Sequence, residues 1–257
     1  MDDKVAFITG GATGIGKRIA YSLANNGVSI IITYRKSKKA ALALVTELQE
    51  RYHIKALALE GDASSEKDCK QVTELVIEGF GHVDMFIHNA GPYMHERRPM
   101  TEYSSDEWNY IINGNLNGFF YFAKEIIPHM RRRSWGRIIT LGFDRCETAP
   151  GWIYRSAFAA AKSGLTSLTR TLAVEEATNG ITVNMVCPGD IIGEWKEEEI
   201  IVAKGQKDVT VPIGRPGTGE DLARVITFLC DEQSDFITGS IIPVTGGKDV
   251  LGKIHKA

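Results

Sequence analysis

The sequence has little of what a metalloprotein, a disulfide-stapled scaffold or a membrane protein needs. Its four cysteines, Cys69, Cys146, Cys187 and Cys230, are far apart, none forms a C-x-x-C pair, and no histidine cluster accompanies them. The spacing of a metal site or a disulfide framework is therefore missing, and free thiols in a reducing compartment are expected. No apolar run approaches the ~20 residues that span a bilayer. Met1-Asp2-Asp3-Lys4 leads straight into an apolar segment without a leader pattern, so a cytoplasmic protein with no membrane contact is expected. A charge excess is also lacking, with 30 basic residues against 32 acidic ones, which argues against a general nucleic-acid surface. The basic triplet Arg131-Arg132-Arg133 falls at a predicted helix C-terminus, where the dipole favours positive charge. There is no Pro/Ser-rich linker, low-complexity tract or internal repeat, so the 257 residues read as one domain.

What is present is an apolar β-branched run, Val5 to Ile8, that ends in a Gly-rich turn and continues with apolar residues at helical spacing through Ile15, Ile19, Ala20 and Leu23. Gly10, Gly14 and Gly16 allow close approach of backbone, and the following helix offers unpaired N–H groups and the positive end of its dipole. A phosphate is the natural ligand there. The rest of the chain repeats the alternation. Strands are predicted at 29–34, 55–60, 83–88, 137–141, 181–187 and 240–244, with helices at 38–52, 65–80, 105–133, 154–178 and 220–230. Ser64 or Ser65 caps the 65–80 helix. Strands alternating with helices imply an α/β fold with a parallel sheet of about seven strands, covered by helices on both faces. Ligands of such sheets sit beyond the C-terminal strand ends.

Tyr34-Arg35-Lys36 ends the second strand, with Lys38 and Lys39 close behind. An unphosphorylated adenosine ribose would call for an acid here, whereas a 2′-phosphate calls for a guanidinium or ammonium, so NADP(H) is expected over NAD(H). Gly61-Asp62-Ala63 follows the third strand and His88-Asn89-Ala90-Gly91 the fourth, each a polar group beside a small residue.

Together these motifs resemble the short-chain dehydrogenase/reductase family over nearly the whole chain, nearest to its 3-oxoacyl-thioester reductase branch. The resemblance implies a doubly wound, Rossmann-type single domain. It places the pyrophosphate on Thr9, Gly10, Gly14, Ile15 and Gly16, and adenine beside Asp62 and Ala63. Asn89, Ala90 and Gly91 match the segment after the fourth strand, and Pro188, Gly189 and Ile191 match the Pro-Gly segment over the nicotinamide. Asn115 resembles the family's helix asparagine and Lys162 its active-site lysine. Thr245 stands where Asp is usual near the last strand.

The catalytic pattern departs from that family at two positions. Its Tyr-x-x-x-Lys becomes Phe158-Ala159-Ala160-Ala161-Lys162, and its Ser-Ser after the fifth strand becomes Gly142-Phe143-Asp144-Arg145, in a loop two residues longer. Hydride delivery to a carbonyl leaves an alkoxide that must be protonated, and phenylalanine cannot do it. Two replacements are considered. Tyr154, one turn before Phe158 on the predicted helix, would lie roughly 40° round from it; some enoyl-thioester reductases of the family use a tyrosine seven residues before the lysine, against eight here. Asp144 resembles the Asp that pteridine reductases carry in place of the serine. Each has a plainer reading, as loop packing and as a local ion pair.

Tyr93, Met94, Phe143, Trp152 and Trp195 fall beyond strand ends and are candidates for an apolar substrate cleft. Residues 190–214 correspond to the family's substrate lid, here opening with the acidic stretch Glu194 to Glu199. The 105–133 and 154–178 helices are expected to pair copies into a homodimer or homotetramer, with Phe119, Phe120, Phe122, Leu165, Leu168 and Leu172 as the apolar surface. The expected activity is NADP-dependent reduction of a small-molecule carbonyl with a non-standard proton donor. An enoyl-thioester or pteridine reductase and a catalytically silent NADP-binding protein are the alternatives.

Overall fold

The computed structural model describes residue 1 and residues 3–251. The strands are β1 (Val5–Ile8), β2 (Ser29–Tyr34), β3 (Ala56–Glu60), β4 (Met85–His88), β5 (Gly136–Leu141), β6 (Ile181–Pro188) and β7 (Ile241–Val244). The helices are α1 (Gly14–Ala24), α2 (Lys38–Tyr52), α3 (Glu66–Phe80), α4 (Ser105–Ile112), α5 (Gly118–Arg133), α6 (Ser156–Glu175), α7 (Ile200–Lys204) and α8 (Gly219–Cys230).

The strands form one parallel sheet in the order β3-β2-β1-β4-β5-β6-β7. Parallel neighbours need crossovers, and the alternation of strand with helix supplies them. Side chains alternate across each strand, so Ala6 and Ile8 of β1 join Leu23 of α1, Leu48 of α2 and Ile226 of α8 on one face. Phe7 joins Val76 of α3, Phe122 of α5 and Leu165 of α6 on the other. The chain starts at β1 and winds outward first through β2 and β3, then through β4 to β7. The order reverses between β1 and β4, which opens a crevice at their C-terminal ends.

Two predicted helices end differently. The 105–133 segment is two helices joined by a π-helical turn at Asn113–Asn117. Glycine makes that turn possible, because a Cβ at Gly114 would meet Pro92 Cδ at 2.3 Å and one at Gly118 would meet the Ala63 carbonyl at 2.3 Å. Helix α4 starts at a capping box in which Ser104 and Glu107 satisfy each other's backbone N–H groups. Helix α6 begins at Ser156, so Tyr154 precedes it, with a left-handed φ of 62°. Ser65 is the residue that caps α3, accepting from the Asp68 N–H.

Candidate active site

A cleft of about 830 Å³ runs along the C-terminal strand ends from Arg35 past Gly14 to Lys162. Its floor is held by Thr9, which does not line it, and Asn89, which does. Thr9 is fully buried, and its Oγ1 accepts from the Asn89 N–H at 3.1 Å and the Ala90 N–H at 3.0 Å. Asn89 Nδ2 returns two hydrogen bonds of 3.0 Å, to the carbonyls of Thr9 and Gly10. The loops after β1 and β4 are thereby locked together. Gly16 also stands behind the wall, where a Cβ would lie 2.6 Å from the Gly10 carbonyl. Gly10, Gly14 and Ile15 face the cleft.

At the α1 N-terminus Thr13 provides no side-chain cap. The Gly14 N–H donates instead to Glu197 Oε1 at 2.7 Å, and Lys17 Nζ donates to Glu197 Oε2 at 2.8 Å. Glu197 follows the 3-10 turn Gly193–Lys196 in the predicted lid. Burial alone would raise the pKa of this carboxyl, but the Gly14 N–H and the Lys17 ammonium more than offset that and hold it below the ordinary value. This segment is thus clasped to the glycine loop by an anion at a helix N-terminus.

At one end of the cleft lie Tyr34, Arg35, Asp62 and Ala63. The Arg35 guanidinium sits 3.4 Å from Asp62 Oδ2 and donates to the Tyr110 hydroxyl. Asp62 also accepts from the Ser64 N–H at 2.9 Å and the Ser64 hydroxyl at 2.7 Å. Against the upward pull of burial, the Ser64 bonds and Arg35 lower its pKa. Lys36 is exposed and does not line the cleft, so Arg35 is the basic residue presented there from the 34–36 group. Tyr110 comes from α4, and nothing in local sequence signals its meeting with Arg35.

The other end holds Asn89, Ala90, Gly91, Pro188, Gly189, Ile191, Asn115 and Lys162. Asn115 sits in the π-helical turn and its Nδ2 donates to the carbonyls of Pro92 at 2.8 Å and Ile111 at 2.9 Å. Its Oδ1 is buried without a partner, facing Gly91, where a Cβ would come within 2.2 Å of it. Lys162 is buried, with its ammonium 5.6 Å from the centroid of the Phe158 ring. Burial pushes its pKa down to about 8, partly opposed by the nearby sulfurs of Cys146 and Cys187.

Phe158 belongs to an aromatic wall, with ring centroids 5.0 Å from Tyr93, 6.0 Å from Trp152 and 6.2 Å from Phe143. The Arg155 Nε donates to the Tyr93 hydroxyl at 2.6 Å. Neither candidate replacement, Tyr154 for the family tyrosine or Asp144 for its serine, lines the cleft. Tyr154 is not on the helix, so the expected offset from Phe158 does not apply, and its carbonyl is taken up by the Tyr103 hydroxyl at 3.1 Å. Asp144 is buried, and its Oδ2 accepts from the Val250 N–H at 3.1 Å and lies 3.8 Å from Arg145 Nε, the local ion pair of the plainer reading. Met94 and Trp195 likewise lie outside the lining; Trp195 packs against the core on the α1 side. Among the described residues no group of acids, histidines and cysteines could hold a metal ion, and no helix is long and apolar enough to cross a membrane.

The chain matches a family model described as enoyl-(acyl carrier protein) reductase over residues 10–249. It is 45% identical over 250 residues to YtkK of Bacillus subtilis, provisionally named an oxidoreductase, covering 96% of this chain and 97% of that protein. It is 32% identical over 245 residues to the 3-oxoacyl-[acyl-carrier-protein] reductase FabG of Staphylococcus epidermidis, covering 95% of this chain and 98% of the relative. Among solved structures it resembles a Bacillus thuringiensis protein provisionally described as a 3-oxoacyl-reductase, with 45% identity, a TM-score of 0.89 and coverage of 96% and 99% of the two chains. It also resembles the acetoin dehydrogenase YohF of Salmonella typhimurium, with 29% identity, a TM-score of 0.86 and 95% of each chain covered.

Proposed function

Because the chain belongs to the short-chain dehydrogenase/reductase family, we propose that it is an NADP(H)-dependent reductase of a small carbonyl compound, of the 3-oxoacyl-thioester type, with Lys162 as the proton donor. The observation that carries this reading is the single cleft that joins Arg35 to Lys162 and Asn115. Its volume suits a dinucleotide with a small substrate. The α1 turn offers its N–H groups to a pyrophosphate, except the Gly14 N–H, which Glu197 takes up, and Arg35 supplies the guanidinium for a 2′-phosphate. Reduced nicotinamide, when bound, supplies the hydride. The chain's own part is then to hold the carbonyl, exclude water and deliver a proton.

The aromatic wall of Phe143, Trp152, Phe158 and Tyr93 supports the second task. For the third, Lys162 is the buried ammonium at the Phe158 end of the cleft, and its depressed pKa brings proton release into the physiological range. Phe158 itself favours one competing reading, a protein that binds NADP(H) without turning over substrate.

The test is NADPH oxidation by the purified chain against an acetoacetyl thioester, an enoyl thioester, a dihydropterin, diketones and quinones, with binding followed by NADPH fluorescence. Turnover on an oxo compound above the enzyme-free rate is expected. NADPH binding without turnover on any of them would overturn the reductase in favour of the silent binder. The cofactor assignment is read separately. Arg35→Ala is expected to weaken NADPH at least tenfold and NADH less than twofold, since a charge-assisted hydrogen bond contributes about 1.5–3 kcal/mol.

A further inference from the structure

Behind the active-site wall, the sulfurs of Cys146 and Cys187 stand 3.4 Å apart, both buried. They reach this contact from different elements. Cys146 opens the 3-10 turn Cys146–Thr148 of the loop after β5, and Cys187 lies near the end of β6. Thr166 Oγ1 is 3.2 Å from the Cys146 sulfur, and Met185 Sδ is 3.4 Å from it. The space is tight enough that a Cβ at Gly142 would come within 2.7 Å of Cys187 Sγ and 2.8 Å of Cys146 Sγ.

We propose that Cys146 and Cys187 are a redox-active dithiol, oxidised by peroxide to an intramolecular disulfide. The pair needs only ~1.4 Å of approach to reach disulfide length. The turn that carries Cys146 is bounded by two non-glycine residues with left-handed backbone, Arg145 at φ 61° and Ala149 at φ 49°, a conformation from which movement relieves strain. Cys146 also lines a surface hollow formed with Ser163, Thr166 and Arg170, which gives a small oxidant an approach.

The two thiols differ in character. Either sulfur can donate in the hydrogen bond between them; with the proton on Cys187 that bond favours the thiolate on Cys146 and, together with burial, keeps Cys187 protonated. The thiolate of Cys146 attacks one oxygen of hydrogen peroxide, breaking the O–O bond to give a sulfenic acid and hydroxide. The sulfur of Cys187 then displaces hydroxide from that sulfenic acid, its proton leaving with the hydroxide as water. Overall two thiols lose two electrons and two protons, and one peroxide becomes two waters. Cys69 and Cys230 have no sulfur partner among the described residues, and burial pushes each thiol up to about 12. They stay reduced.

The reaction is independent of any reductase activity, and so is its test. The full-length chain is treated with hydrogen peroxide, its remaining thiols are alkylated under denaturing conditions, and its peptides are mapped without reduction. The expected result is one linked pair, the Cys146 peptide with the Cys187 peptide, released by dithiothreitol, with Cys69 and Cys230 alkylated. In Cys187→Ser, dimedone is expected to capture a sulfenic acid on Cys146. Should that variant fail to fold, the wild-type map decides alone. Alkylation of both Cys146 and Cys187 after peroxide, or oxidation confined to Cys69 or Cys230, overturns the proposal.

Discussion

At the scale of single residues, the chemistry turns on what stands beside Lys162. With Phe158 where the family has tyrosine, the ammonium faces an aromatic ring rather than a hydroxyl, and burial has lowered its pKa to about 8. If this ammonium gives the proton, the rate of carbonyl reduction is flat at neutral pH and falls about tenfold per unit once pH exceeds its pKa. A rate that stays constant from pH 7 to 9.5 with the fold intact would remove Lys162 from the donor role. The same shift has a stability consequence with a definite sign. The folded pKa lies below the ordinary 10.5 of the unfolded chain, so between the two the unfolded state binds more protons and stability rises with pH. Lys162→Met is therefore expected to stabilise the chain at neutral pH and to abolish that rise, as read by urea unfolding at pH 7 and 9.5. Phe158→Tyr places a phenol beside the ammonium, and an increase of about tenfold in reduction rate is expected, short of the roughly hundredfold or more that a positioned acid supplies because Phe143 stands where the family serine would. These residues were legible from the chain itself, since a missing phenol is read directly from Phe158. Tyr154 was misplaced because apolar periodicity runs on through residues 154–157, while the left-handed backbone at Tyr154 that ends the helix carries no mark in residue type.

At the scale of elements, the sheet was readable because each parallel strand is a short, largely apolar run, and boundaries moved by only one or two positions. The break at Asn113–Asn117 was not, because π-helical backbone keeps the apolar stripe nearly in phase and only contacts with Pro92 and Ala63 require the glycines. The 190–214 segment is a third case. Its acidity was visible, but the pairing of Glu197 with Gly14 across 183 residues belongs to tertiary structure alone. That clasp makes a prediction. Glu197→Gln keeps size and loses charge, removing the ion pair to Lys17 and weakening the bond from the Gly14 N–H. Trypsin cleavage at the exposed Lys204 and Lys207 of α7 and the loop after it is expected to accelerate several-fold, with cleavage elsewhere unchanged. Since the Glu197 carboxyl titrates below its ordinary 4.5, the wild-type clasp should persist through mildly acid solution and be lost only as pH falls through that lowered value. Equal cleavage rates in wild type and variant would mean that the clasp does not restrain this segment.

At the scale of the whole molecule, two surfaces carry more apolar side chain than a free monomer needs. On one, α5 and α6 form a groove with Phe120 half exposed and Leu168 and Leu172 partly so. Phe119, Phe122 and Leu165, expected to share that surface, instead point into the core. Helical phase explains the split, since Phe120 lies about 100° round the helix from Phe119. On the other surface, α8 exposes Phe228 by 58%, and Phe236, between α8 and β7, is 99% exposed. Beside them β7 ends the sheet, paired on one side with β6 and blunted by Pro243. If each of these surfaces pairs with its own copy, the two dyads close as a tetramer. Light scattering on the purified chain is therefore expected to give four times the monomer mass. Phe120→Glu and Phe236→Glu are each expected to reduce it to two, and the double variant to one, with unfolding midpoints little changed because both side chains face solvent in the monomer. If the wild-type chain scatters as a monomer, neither surface pairs copies. If only one substitution halves the mass of a dimer, the surface it leaves intact is not an interface.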